Sequence, residues 1–233
     1  MKSVDELIEE IGSGMHDGML RDVYVDEGCI GYNRNRLADA VKRFQELYPQ
    51  EPEAEVYSAP GRSEVCGNHT DHQNGMVLAT SINLDAVAVV AKSEDFRIML
   101  VSGDFPQEDI DLASLDAVED EKETTAGIIR GVAAGVKSRG YEIGGFRAYV
   151  TSDVLMGAGM SSSAAFESLI GTILSGLYND GKISPVEIAQ IGQYAENIYF
   201  GKPCGLMDQM TCSVGGMVFI DFADKEHPVV KKV

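Results

Sequence analysis

The pattern of hydrophobic and polar positions predicts a chain that mixes helices and strands. Apolar residues recur at helical spacing over residues 4–11 and 35–48, and glycines or prolines follow both segments. Three further segments show the same spacing, namely 125–139, 164–177 and 185–199. The last of them starts with a serine, a proline and an acidic residue, the order that favours a helix start.

Five other segments predict strands: 54–58, 76–91, 96–101, 146–152 and 217–222. The second contains an uninterrupted apolar run over residues 87–91, which is typical of a buried strand. The third follows after four polar residues and is predicted to be its hairpin partner. Residues 104–123 are acidic and lack strong periodicity, so a surface excursion is expected there.

Composition narrows the classes of function. The 233 residues include 37 acidic and 19 basic ones, which gives a formal net charge of −18. A nucleic-acid partner requires a basic face that neutralises phosphates, and an anionic membrane repels an acidic chain, so neither partner is expected. The hydrophobic fraction of 44% is ordinary for a globular protein and allows a substantial core.

The cysteines and the first residues indicate a cytoplasmic protein. None of the four cysteines forms a C-x-x-C pair, so neither a zinc knuckle nor a redox motif is predicted. An acidic chain with scattered thiols is typical of a reducing compartment. Residues 1–10 are charged and amphipathic, unlike a signal peptide, and no apolar run approaches a membrane span in length.

The most informative stretch is a loop of small residues between a predicted strand and a predicted helix, over residues 154–167. Gly157 and Gly159 allow positive φ angles and close approach to a ligand. Ser161, Ser162 and Ser163 stand at the start of the helix, where free N–H groups attract phosphates. One hydroxyl is expected to cap the helix and the others to face a phosphate or Mg²⁺. A glycine turn with a serine cap is the alternative. Neither a Walker A nor a complete dinucleotide motif is present.

Two further stretches collect polar residues in loops. Residues 59–75 hold side chains that hydrogen-bond in fixed directions, as a hydroxyl-rich ligand requires, although a polar surface turn is the alternative. His69 and His72 lie three residues apart, which is weak support for a metal site. Residues 201–210 place Asp208 and Gln209 in a predicted tight loop between a helix and a strand.

In this order, the three stretches resemble the motifs of the GHMP family of small-molecule kinases, and most of all its galactokinase branch. Residues 59–74 are similar to the signature P-G-R-x-N-x-I-G-E-H-T-D-Y, residues 157–164 to the phosphate loop G-x-G-L-S-S-S-A, and residues 204–209 to C-G-I-M-D-Q. The likeness extends from about residue 44 to residue 222. It implies an α+β fold, with a mixed sheet packed by helices as in ribosomal protein S5 domain 2, and the strand and helix pattern is compatible with it.

The resemblance also implies a reaction, in which ATP phosphorylates the anomeric hydroxyl of galactose to give galactose 1-phosphate. Asp208 takes the proton of that hydroxyl and Arg62 stabilises the phosphoryl group in transfer. Ser163 and Glu196 help to bind Mg²⁺. The residues implied for the sugar are Asn68, His69, Thr70, Asp71 and Gly205. Those implied for the ATP phosphates are Gly157, Ala158, Gly159, Met160, Ser161, Ser162 and Ser163.

Three departures leave the sugar open. Asn68 replaces the family's glutamate, His72 its tyrosine and Glu64 its asparagine. A kinase for N-acetylgalactosamine or arabinose, or a non-catalytic regulator that binds sugar or ATP, therefore stays an alternative. Residues 1–233 are interpreted as the N-terminal GHMP kinase domain without the C-terminal domain of the family. Weak activity and self-association through the face left uncovered are expected of this chain alone.

Overall fold

A computed structural model describes residues 1–224 and 227–233. Its strands are β1 (Lys2–Ser3), β2 (Glu53–Cys66), β3 (Met76–Lys92), β4 (Arg97–Ser102), β5 (Glu108–Asp111), β6 (Phe146–Ser152), β7 (Met217–Asp221) and β8 (Val229–Lys232). Its α-helices are α1 (Val4–Gly12), α2 (Asp17–Tyr24), α3 (Ile30–Leu47), α4 (Thr125–Ser138), α5 (Ser162–Asn179), α6 (Pro185–Tyr194) and α7 (Met207–Val214).

The strands form one mixed sheet around the long strand β3. Its order is β1-β2-β3-β6-β4-β5, and β7 pairs with β3 and with β8. β2 lies antiparallel along one edge of β3, while β7 and β6 share the other edge, β7 along residues 76–80 and β6 along residues 86–92. β4 is parallel to β6. The expected hairpin between residues 76–91 and 96–101 is therefore wrong, because β6 is inserted between β3 and β4.

Helices cover both faces of the sheet, which explains the continuous apolar run in β3. Val87, Val89 and Ala91 pack with α1, α2 and α3, whereas Ala86, Ala88 and Val90 pack with α4, α5 and α6. Successive side chains of a strand point to opposite faces, so two helical layers require apolar residues at every position. Burial of one such valine side chain stabilises the fold by about 1.5–3 kcal/mol.

Most predicted helices and strands are present, with shifted bounds in several. β2 continues through the expected polar loop to Cys66, with bulges near Arg62 and Cys66, so Arg62 lies in a strand. The expected excursion over 104–123 contains β5, and its Ile110 and Leu112 are buried. The mixed sheet with helices confirms the predicted α+β class. No helix in the described part of the chain is long and apolar enough to cross a membrane.

Candidate active site

The three sequence stretches meet at one pocket of about 400 Å³. It is lined by Arg62, His69, Asp71, His72, Gly157, Gly159, Ser161, Ser162, Ser163, Glu196, Lys202, Cys204, Gly205, Asp208 and Gln209. Eleven of the fifteen site residues predicted from the sequence line this pocket, and the other four, Asn68, Thr70, Ala158 and Met160, do not. Their roles in binding remain predictions.

A bidentate ion pair between Arg62 and Asp208 lies in this pocket. Arg62 Nε donates to Asp208 Oδ1 at 2.7 Å and Nη2 donates to Oδ2 at 2.6 Å. The third guanidinium nitrogen, Nη1, donates to the carbonyl oxygen of Gly159 at 2.6 Å. Paired N–H donors on a carboxylate fix direction as well as distance. Arg62 therefore joins the carboxylate of the third motif to the backbone of the second.

The serine loop, residues 153–161, runs from the end of β6 to the start of α5. Gly157 and Gly159 have φ angles of +74° and +75°, in the left-handed region expected for glycine. Ser161 also has a positive φ, 58°, and its side chain makes no cap hydrogen bond to the helix. Its hydroxyl instead donates to Asp208 Oδ2 at 2.5 Å. The expected serine cap is therefore wrong, because the Asp208 carboxylate competes successfully for the hydroxyl.

Asp208 lies in the first turn of α7, and the expected tight loop at this position is wrong. The buried carboxylate of Asp71 accepts a hydrogen bond from the backbone N–H of Met207 at 3.1 Å, at the N-terminal end of α7. An acceptor at this end satisfies a free helical N–H and interacts favourably with the helix dipole. Gly205 packs directly on Asp71, since a Cβ atom there would lie 1.7 Å from Asp71 Oδ2.

The first motif reaches the pocket through a left-handed turn. Asn68 and His69 have φ angles of 51° and 50°, and Asn68 is exposed. The backbone N–H of His69 donates to Glu64 Oε1 at 3.1 Å, so Glu64, one of the three departures, holds this turn. Thr70 donates its hydroxyl to the carbonyl oxygen of Met76 at 3.3 Å, which connects the turn to the start of β3.

A buried network of two carboxylates and one amide lies beside Asp208. Gln209 Nε2 donates to Glu167 Oε2 at 3.0 Å and to Glu196 Oε2 at 2.8 Å, and all three side chains are buried. Burial raises the pKa of Glu167 well above its ordinary range, and the nearby Glu196 charge adds to this shift. The same burial raises the pKa of the neighbouring Cys204 thiol, so this cysteine is not an activated nucleophile.

Glu196 is a buried acid that lines the pocket. It sits in a π-helical turn, Ala195–Phe200, that follows α6, and such turns are frequent at functional sites. Lys202 Nζ lies 3.9 Å from Glu196 Oε1. Ser163 lines the same pocket. No group of three or more His, Cys, Asp or Glu side chains suited to a metal ion occurs within residues 1–224 and 227–233.

The sequence analysis did not identify two residues that line the pocket, Lys202 and Cys204, or the buried Glu167 next to it. Glu167 stands among apolar residues of α5, and only the fold shows that it is fully buried beside Gln209. Lys202 and Cys204 belong to the third stretch, yet no role was assigned to either side chain. An acid at a helical position that otherwise faces the core, as Glu167 does, was the available signal.

Comparison with known proteins identifies two matching family models. The model described as the galactokinase galactose-binding signature matches residues 42–92, and the model of the GHMP kinases N terminal domain matches residues 127–216. Together they cover β2, β3 and the helices that carry the pocket.

Curated galactokinases are similar to most of this chain. The galactokinase of Streptomyces coelicolor is 35% identical over 186 residues, which is 78% of this chain and 48% of that protein. The galactokinase of Lacticaseibacillus casei is 36% identical over 179 residues, which is 76% of this chain and 46% of that protein. The chain thus spans about half the length of the curated relatives it matches.

Solved structures give the same result. The Lactococcus lactis galactokinase complexed with galactose superposes with a TM-score of 0.74 at 28% identity, covering 82% of this chain and 50% of that one. The Methanococcus jannaschii mevalonate kinase, at a TM-score of 0.63 and 18% identity over 78% of this chain and 56% of that one, shares the fold. The chain therefore belongs to the GHMP kinase family and carries both its N-terminal domain and the galactose-binding signature of galactokinases.

Proposed function

We propose that this chain provides the catalytic pair, the phosphate loop and the sugar-binding signature of an ATP-dependent galactokinase that forms galactose 1-phosphate. The observation that carries the proposal is the Arg62–Asp208 ion pair in a pocket shared with the serine loop. The similar galactokinases support galactose as the sugar, and the L. lactis enzyme was solved with galactose bound.

The serine loop is proposed to receive the ATP phosphates. Its two glycines leave open space where a side chain would otherwise stand, since a Cβ atom at Gly157 or Gly159 meets no atom within 4 Å. The N-terminus of α5, an 18-residue helix, adds free N–H groups and the positive end of its dipole. In a chain with a net charge of −18, such local donors offset the repulsion of a polyanionic substrate.

Asp208 and Arg62 are proposed to act on the transferring group. Phosphoryl transfer requires alignment of the attacking oxygen and neutralisation of charge on the phosphoryl oxygens. The Asp208 side chain is 34% exposed, so an anomeric hydroxyl can reach it and donate its proton to a carboxylate oxygen. The Arg62 guanidinium holds this carboxylate in place and brings one positive charge to the point where the phosphoryl group passes.

Mg²⁺ is proposed to bind at Glu196 and Ser163. Proteins usually hold Mg²⁺ by one or two carboxylates together with substrate phosphates, so a single carboxylate and a hydroxyl in one pocket fit this ion. When bound, Mg²⁺ neutralises phosphate charge. Gln209 Nε2 fixes Oε2 of Glu196, while Oε1 lies 3.9 Å from Lys202 Nζ and so already faces one positive charge.

The sugar is proposed to bind on the side of His69, Asp71 and Gly205, which line the pocket next to Asp208. Asn68 and Thr70 belong to the same proposal through the signature motif. A cytoplasmic location and self-association of the chain are also part of this proposal.

A single-turnover assay tests the function. Radiolabelled ATP is mixed with an excess of protein, Mg²⁺ and one sugar at a time, from galactose, N-acetylgalactosamine and arabinose, because protein excess detects slow chemistry. We expect transfer of label to galactose, with the product identified by NMR as the 1-phosphate. Transfer to one of the other sugars and none to galactose would reject galactose as substrate. ATP binding without transfer to any sugar would favour the non-catalytic alternative.

A further inference from the structure

A buried polar cluster on the opposite side of β3 from the pocket connects the N-terminal helices to the serine loop. Arg36, on α3, is 8% exposed and contacts two carboxylates. Its Nη2 pairs with Asp85 of β3, and its Nη1 lies 2.5 Å from Asp153 Oδ2. Asp153 is the first residue of the serine loop, immediately after β6.

The two carboxylates that flank Arg36 are held by further donors. Asp85 accepts hydrogen bonds from the hydroxyls of Tyr24 at 2.9 Å and Ser58 at 2.5 Å. Asp153 accepts one from Tyr32 at 3.0 Å, and its backbone N–H donates to the Asp85 carbonyl oxygen at 2.9 Å. The bonds to the buried Asp85 carboxylate are stronger than those in water, and loss of one donor there leaves a buried group unpaired, whereas the bond from Tyr32 to Asp153 is exposed.

The other end of the serine loop is held separately. The backbone N–H of Arg62 donates to the carbonyl oxygen of Met160 at 3.1 Å, and Arg62 Nη1 binds Gly159. Between the two ends, Leu155 and Met156 are 64% and 76% exposed, so packing contributes little order there. The position of the loop thus depends on its two polar attachments and on the burial of Val154 next to Asp153.

We propose that Arg36 is a positioning residue for the serine loop, acting through Asp153 together with Tyr32. The inference rests on the proposed function, because the loop is taken to receive the phosphates of ATP. Arg36 does not line that pocket. Its effect is to order the loop entrance before the ligand arrives, which removes that ordering cost from binding.

The test uses variants with small structural changes. Arg36→Lys is the direct variant, but its loss of the guanidinium fork leaves a buried carboxylate poorly paired and threatens the fold. Asp153→Asn keeps the size of a side chain that is 22% exposed, and Tyr32→Phe removes one hydroxyl from a residue that is 58% exposed. Arg43→Gln is the control, since Arg43 is exposed on the same helix and pairs only with Glu46 among the ion pairs of the described residues.

Amide hydrogen exchange of residues 153–160 and calorimetric titration with ATP are measured for each variant. We expect exchange in this segment to rise about tenfold in Asp153→Asn, with less change in Tyr32→Phe and none in Arg43→Gln. Exchange of α5 is expected to stay unchanged. The dissociation constant for ATP is expected to rise about fivefold in Asp153→Asn.

Two results would overturn the inference. One is unchanged exchange in residues 153–160 in both test variants. The other is faster exchange throughout the sheet, which would make the cluster a general stabiliser of the fold. A wild-type chain that binds no ATP would count against the proposed function alone, because the exchange measurement still reports whether Asp153 holds the loop.

Discussion

The contact between Gly205 and Asp71 gives a quantitative prediction for Gly205→Ala. The added Cβ atom would stand 1.7 Å from Asp71 Oδ2 and 2.4 Å from its Cγ, distances at which one group must move. Gly205 is outside the left-handed region, so alanine meets no backbone strain there. The full effect of the substitution thus comes from displacement of the Asp71 carboxylate.

The magnitude follows from what Asp71 loses. Its Oδ2 accepts the backbone N–H of Met207 at 3.1 Å, and this donor becomes buried without a partner when the carboxylate rotates away. An unsatisfied buried donor costs about 1–3 kcal/mol. For a chain of this size, each kcal/mol lowers the melting temperature by about 2–4 °C.

Urea unfolding of Gly205→Ala measures this change, with Gly31→Ala as the matched control. Gly31 lies in α3 with nothing within 4 Å of a built Cβ, and alanine there favours the helix by up to about 1 kcal/mol. We expect Gly205→Ala to lower the free energy of unfolding and Gly31→Ala to raise it. Asp71→Ala, alone and combined with Gly205→Ala, completes a double-mutant cycle. In the absence of the Asp71 carboxylate, Gly205→Ala should destabilise the fold much less. Equal costs with and without Asp71 would refute the steric reasoning.

Three further predictions concern the pocket and its surroundings. Burial raises the pKa of Glu167, so between its unfolded pKa of about 4.5 and its higher folded pKa the folded chain binds one more proton than the unfolded chain. The free energy of unfolding therefore falls as the pH rises through this range. Glu167→Gln should remove this fall, and an unchanged pH slope in urea unfolding would reject the prediction. Gly159→Val should weaken ATP binding measured by calorimetry, because φ is +75° there and a branched side chain blocks the phosphates; unchanged affinity in a folded variant would assign the loop a structural role. Light scattering of residues 1–233 should detect dimers or larger species, and a monomer at all concentrations would contradict the expected self-association.

Much of the fold could be predicted from local sequence pattern. The errors arose where the pairing of a strand depends on a partner far away in the chain. The apolar run of β3 indicated a buried strand, and the helical layers on both faces explain it. The pairing of β4 was wrong because four polar residues after β3 resemble a hairpin turn, whereas the parallel partner β6 begins some 50 residues later in the chain. Parallel pairing leaves no turn signal near the strand that it joins.

The sequence predicted which residues belong to the site better than it predicted the contacts between them. The motifs indicated that Arg62, Asp208 and the serine loop belong together, and they do meet. Spacing alone could not show that Ser161 donates to Asp208 instead of capping α5, since that choice depends on a residue 47 positions away. The burial of Glu167 is likewise set by α6 and α7 packing over α5, contacts that have no local signature in its sequence.

The central claim is that Asp208 and Arg62 carry out phosphoryl transfer to a sugar, and Asp208→Asn tests it most directly. The amide keeps the size of the carboxylate but cannot take a proton, and general base catalysis contributes about 10²–10⁴-fold. The measurement is the single-turnover rate with galactose, alongside ATP affinity by calorimetry. We predict a rate at least about a hundredfold lower with ATP affinity nearly unchanged. A rate close to that of the wild type would contradict the account.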